Sequence, residues 1–147
     1  MNKLLLPVLI RPIYTLILVV SSVAVFAEEI KSPEFIEGVE KISAEGVFKL
    51  IGEIDELVIV DSRIKGDRAK GYLESSVSLP DIKTSCKTLA KVIPKKNHPS
   101  LFYCNGIKCG RSAVAIEIAK KCGYKNIYWF RGGFEIWEKK GFPFIKE

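Results

Sequence analysis

Apolar and polar positions fall along the chain in two alternating rhythms. Residues 57–63 read LVIVDSR, four consecutive apolar residues followed by polar ones, which predicts a strand buried on both faces. Residues 100–103 read as another buried strand and 127–130 as a further strand, and 77–79 make a shorter one stopped by Pro80. Between these runs the spacing becomes helical. Ser43 caps a helix that runs to about Ile51, and residues 65–70 form a charged turn or short helix. Residues 84–93 place Cys86, Leu89, Ala90 and Ile93 on one side. Residues 112–122 form a helix rich in Ala, Val and Ile, with Gly123 placed to end it. Gly132 and Gly133 turn the chain into a last helix over 134–140. Strands alternating with helices predict an α/β layer fold with a mostly parallel sheet.

The first 27 residues stand apart. They hold no acid and only two bases, Lys3 and Arg11, and residues 13–26 carry no charge. Val25 and Ala27 suit a cleavage site before Glu28, so the segment reads as a secretory signal peptide. The competing reading is an uncleaved membrane anchor from Leu4 to Phe26. Pro7 and Pro12 argue against a core helix. Both leading readings export the domain, either to the periplasm or anchored to the membrane outside the cytoplasm, where disulfides are permitted. Residues 28–41 then read as a linker and entry segment, and 42–147 as the folded domain.

Composition narrows the class. With 48% hydrophobic and 27% charged residues, the chain is neither disordered nor a multi-span membrane protein. The formal charge of +6 is unevenly placed: −7 over residues 28–62 and +11 over 63–147. The positive part suits a small anion. No dense basic run or aromatic stripe suggests nucleic acid.

In open α/β sheets, ligands bind beyond the carboxyl ends of the strands. That rule selects residues 61–63, the loop after Tyr103 and residues 131–133. The middle one reads CNGIKCGRS. Cys104 ends a buried strand, Arg111 and Ser112 open a helix, and Asn105, Gly106, Ile107, Lys108, Cys109 and Gly110 lie between. The glycines let backbone amides turn inward. The helix N-terminus, Lys108 and Arg111 add positive charge. Together they predict an anion cradle whose nearest anion is a Cys104 thiolate. Such surroundings lower a cysteine pKa from about 8.5 to roughly 3.5–7.5. No general base is needed, and His98 reads as ordinary surface. Arg131 is a second candidate for an anion contact. Trp129, Phe130, Phe134, Trp137, Phe142 and Phe144 read as core, with Phe130 or Phe134 bordering the site. The cysteine spacing, without histidine partners, argues against a metal site.

VIVDSR, GYLESSVSLP, LFYCNGIKCGRS and YWFRGGFEIWEKKGFPF, taken in order, resemble the signatures of a rhodanese-like domain over residues 42–144. The resemblance implies a three-layer α/β/α fold around a five-stranded parallel sheet. It implies a sulfurtransferase that needs no cofactor and carries a sulfane sulfur as a Cys104 persulfide. Residues 105–111 would form the cradle, with Asp61 and Arg63 in support. The partners implied are a small anionic sulfur donor, such as thiosulfate or a persulfide, and a thiol or cyanide acceptor. An exported protein is a further candidate partner.

The loop departs from the family's commonest pattern. Six residues, not four, separate Cys104 from Arg111. Related phosphatases and arsenate reductases also use a longer loop, which keeps dephosphorylation or arsenate reduction as an alternative, although the loop carries no acid. A second alternative is a sulfur-carrying or redox-sensing module without an activity of its own. Cys109 either closes a disulfide with Cys104, as a redox couple, or resolves the Cys104 persulfide. The apolar neighbours of Cys86 and Cys122 predict buried free thiols there rather than a bridge.

Overall fold

The computed structural model describes residues 31–146; the leader and its cleavage site lie outside them. Five strands form one parallel sheet. They are β1 (Glu40–Lys41), β2 (Val58–Asp61), β3 (Val77–Ser78), β4 (Ser100–Tyr103) and β5 (Ile127–Phe130), in the order β1-β5-β4-β2-β3. The expected α/β/α layers around a five-stranded sheet are thus present. Four of the strands come where the apolar runs predict them. The fifth, β1, lies in the entry segment. It pairs Glu40 with Tyr128 and Lys41 with Trp129, and at two exposed residues it is too short to show an alternating pattern.

The central strands are buried on both faces, as their uninterrupted apolar runs require. On one face Val60, Phe102 and Trp129 meet helices α3 (Cys86–Val92) and α4 (Arg111–Lys121) through Leu89, Ala115, Ile116 and Ala119. On the other, Ile59, Leu101, Tyr103 and Phe130 meet α1 (Ala44–Glu53) and α5 (Gly133–Lys139) through Val47, Phe134 and Trp137. A one-turn helix, α2 (Lys65–Arg68), follows β2. Ser43 caps α1 by accepting from the Gly46 amide, and Gly123 takes the left-handed conformation after α4. Among the described residues no helix is long and apolar enough to cross a membrane.

Cys86 and Cys122 are not buried free thiols but a disulfide, with Cα atoms 5.4 Å apart, joining the start of α3 to the end of α4. The apolar spacing around Cys86 belongs to Leu89 and Ile93, whereas Cys86 itself is exposed. A bridge spanning 36 residues stabilises by about 2–4 kcal/mol through loss of freedom in the unfolded chain. Replacing both residues by alanine is expected to cost about that much in denaturant unfolding. An unchanged midpoint would contradict it.

Candidate active site

Parallel pairing brings the ends of β2, β4 and β5 to one edge of the sheet, since Asp61 pairs with Tyr103 and Tyr103 with Phe130. Cys104 follows β4, the middle strand, and is 1% exposed. The next six residues arch over it. Gly110 is the residue before α4, so the first turn of that eleven-residue helix faces the loop with free amides and its positive dipole end. Cys104 thus lies between the end of β4 and a loop that runs to the start of α4. It is bonded to Cys109, with Cα atoms 6.2 Å apart. Cys109 is half-buried and its amide donates to the Gly106 carbonyl.

Helix α5 fixes the loop from the other side. The Phe134 amide donates to the Cys104 carbonyl at 2.9 Å and the Glu135 amide to that of Asn105 at 2.7 Å. Gly133 has φ +59°, and a Cβ there would collide with the Cys104 and Asn105 backbone. Gly106 is needed for a different reason, because the Glu135 carboxylate occupies the space a Cβ would take. Asn105 is held by its side-chain amide, which donates to Asp67 Oδ2 at 2.9 Å.

Asp67 leads back to the early Asp-x-Arg motif. Asp61 is fully buried and accepts from Arg63 Nε at 2.9 Å, Arg63 Nη2 at 2.7 Å, Arg68 Nη1 at 3.0 Å and the Tyr103 hydroxyl at 2.7 Å. Arg63, 1% exposed, also donates to the carbonyls of Gly71 and Asp67, and its guanidinium lies 4.6 Å from the centre of the Phe134 ring. Burial works against the Arg63 charge, but the hydrogen bond and charge of Asp61 outweigh it and hold the guanidinium above its ordinary pKa. Asp61 and Arg63 thus tie β2 to α2 and α5, the two elements that grip the loop. Neither side chain hydrogen-bonds to residues 105–111.

The remaining candidates divide. Ile107 and Lys108 are exposed at the loop tip. Arg111 Nη1 lies 3.1 Å from Asp81 Oδ1, so its charge is shared with a carboxylate. Ser112 is buried and its hydroxyl accepts from Trp129 Nε1 at 3.0 Å, bracing α4 against β5. Arg131 donates to the Pro33 carbonyl and to Glu34, where it holds the entry segment. That segment lies beside the loop, with Lys31 paired antiparallel to Cys109. His98 precedes β4, at the end opposite Cys104. Phe134 borders the site, as the pattern allowed. Among the described residues, no cluster of His, Cys, Asp and Glu suits a metal ion.

Tyr103, Arg68, Asp67 and Glu135 were not singled out from the sequence. A tyrosine inside a buried apolar run, whose hydroxyl needs a partner there, is the signal in the sequence for this network. Burial, then the Asp61 charge, pushes the Tyr103 hydroxyl well above its ordinary pKa, so it stays protonated and donates. A group raised on folding stabilises fully below its unfolded pKa, about 10 for tyrosine, and that stability is lost as pH rises through the higher folded value. Unfolding free energy is therefore expected to fall more steeply above about pH 10 in the native protein than in Tyr103→Phe. Parallel pH profiles for the two would contradict this.

An α/β/α sheet with a cysteine loop on its carboxyl edge defines the class of protein. The model of the rhodanese-like domain matches residues 43–140, and the chain belongs to that family. Solved structures share the fold at low identity. A Bacillus halodurans protein is 18% identical, with 73% of this chain and 77% of that one covered at TM-score 0.66. A rhodanese-related protein from Thermoplasma volcanium is 22% identical, with 74% and 99% covered at TM-score 0.60. A thiosulfate sulfurtransferase from Pseudomonas aeruginosa is 18% identical, with 74% of this chain but only 20% of that one covered, at TM-score 0.63. No curated protein sequence matches the chain.

Proposed function

We propose that the protein is an exported sulfurtransferase that accepts a sulfane sulfur on Cys104. The observation that carries this reading is Cys104 itself, buried at the end of the central strand beneath a loop closed by the first turn of α4. Once the Cys104–Cys109 bond is reduced, the free amides and dipole of α4 favour the Cys104 thiolate. The thiolate attacks the outer sulfur of thiosulfate, a new S–S bond forms, and sulfite leaves with the electron pair of the old one. The terminal sulfur of the persulfide then passes to a thiol or to cyanide. The shared fold of the Pseudomonas thiosulfate sulfurtransferase supports thiosulfate as a donor. The leader pattern and two disulfides support an oxidising compartment, reached after cleavage at Ala27 or on a retained anchor.

The test is sulfite release from the reduced protein on addition of thiosulfate. Sulfite equivalent to protein is the expected result; intact thiosulfate with thiols still free would overturn the reading. Fractionation of producing cells is expected to find the domain outside the cytoplasm, and recovery from the cytoplasm would overturn the export assignment.

A further inference from the structure

We infer that Cys109 resolves the Cys104 persulfide, so that the protein converts sulfane sulfur to hydrosulfide and is left with the Cys104–Cys109 disulfide. This rests on the sulfur-accepting role of Cys104. The two sulfurs are bonded within one loop, whose ends are held by backbone hydrogen bonds from Phe134 and Glu135 of α5 to Cys104 and Asn105, and from Val114 of α4 to Gly110. A Cys109 thiolate in that position is therefore poised at Sγ of a Cys104 persulfide. It attacks Sγ, the Cys104–Cys109 bond forms, and the bond to the outer sulfur breaks. The outer sulfur leaves with the electron pair as hydrosulfide. The sulfane sulfur is reduced by two electrons, and the two cysteines are oxidised to a disulfide.

A dithiol reductant must then reset the loop. Access decides where it attacks, because Cys104 is 1% exposed and Cys109 is half-buried. Attack on the Cys109 sulfur expels Cys104 as the thiolate beside the α4 N-terminus, which is the better leaving group. The cycle consumes one sulfane sulfur and one dithiol, and yields hydrosulfide and the reductant's disulfide.

The experiment takes the protein with the loop pair reduced, removes the reductant without air, and adds one equivalent of thiosulfate. Sulfite and sulfide are measured, and the cysteine peptides are mapped. The expected result is sulfite and sulfide in equal amounts, with Cys104 joined to Cys109. Cys109→Ser is expected to stop at the persulfide, retaining one sulfur on Cys104 and releasing no sulfide. Native protein that releases sulfite but keeps the sulfur on Cys104 would overturn resolution. If neither protein releases sulfite, the sulfurtransferase reading itself fails.

A separate observation concerns Ser62. Its hydroxyl is fully buried and has no hydrogen-bond partner in the protein, which is costly for a polar group. The Ser62 amide donates to the Tyr103 carbonyl at 3.0 Å, so Ser62 lies alongside Cys104 across the sheet. Val60 and Phe102 share the α4 face, and continuing that alternation one residue past the ends of β2 and β4 carries Ser62 and Cys104 to the same face. We propose that Ser62 is a positioning residue that donates to the Cys104 thiolate when the loop is reduced. In Ser62→Ala, the midpoint pH for Cys104 alkylation is expected to rise by about one unit, a roughly tenfold loss of thiolate at neutral pH. Ser62→Cys, a weaker donor, is expected to fall between the two. A Cys104 alkylation profile unchanged in Ser62→Ala would overturn the proposal.

Discussion

Cys104→Ser is expected to abolish sulfur uptake from thiosulfate. A hydroxyl forms no persulfide, and no second thiol has the same surroundings. Cys109 lies two residues before Arg111, half-buried on the approach to α4, and does not follow a buried strand. Folding should survive, because serine has nearly the shape of the buried cysteine and the loop's anchors are the backbone carbonyls of residues 104 and 105. Sulfite release at the native rate in Cys104→Ser would move the nucleophile to Cys109.

The second large effect falls on stability. Asp61→Ala should destabilise the domain by about 3–5 kcal/mol, because it strands a buried Arg63 charge and removes the acceptor of Arg68 and Tyr103. With α2 and α5 no longer tied to β2, sulfur uptake should fall as well. Replacing the ion pair by apolar residues of similar volume should recover part of the stability, since the cost comes from the charge left unpaired. Recovery of stability without recovery of uptake is the expected outcome of Asp61→Leu/Arg63→Met. A change in unfolding midpoint within error for Asp61→Ala would contradict the reading of this cluster.

The elements that carry a strong period were legible in the sequence. The short apolar runs at 57–60, 100–103 and 127–130, bounded by polar residues and rich in β-branched and aromatic side chains, read as strands, and Ser43 and Gly123 marked helix ends by their chemistry. The cysteine loop was legible because its glycines, bases and helix start sit next to one another in the chain. What escaped depends on contacts between distant residues. Glu40 and Lys41 are a strand only because β5 offers an edge, and Arg131 turns to the entry segment because Pro33 and Glu34 lie there. The Cys86–Cys122 bond depends on how α3 meets α4, which no local pattern encodes. The resemblance drew attention to Asp61 and Arg63, but Arg68 and Asp67 of α2 and Tyr103 at the end of β4 complete their network from two other places in the chain.

The most direct measurement uses thiosulfate carrying a heavy isotope in its outer sulfur. The reduced protein is mixed with it, quenched in acid within the first turnover, and cut into peptides for mass spectrometry. The heavy sulfur is expected on the peptide that holds Cys104 or, where Cys109 has already resolved the persulfide, in released hydrosulfide, with unlabelled sulfite in solution. Label confined to Cys109, or thiosulfate left intact beside free thiols, would contradict it.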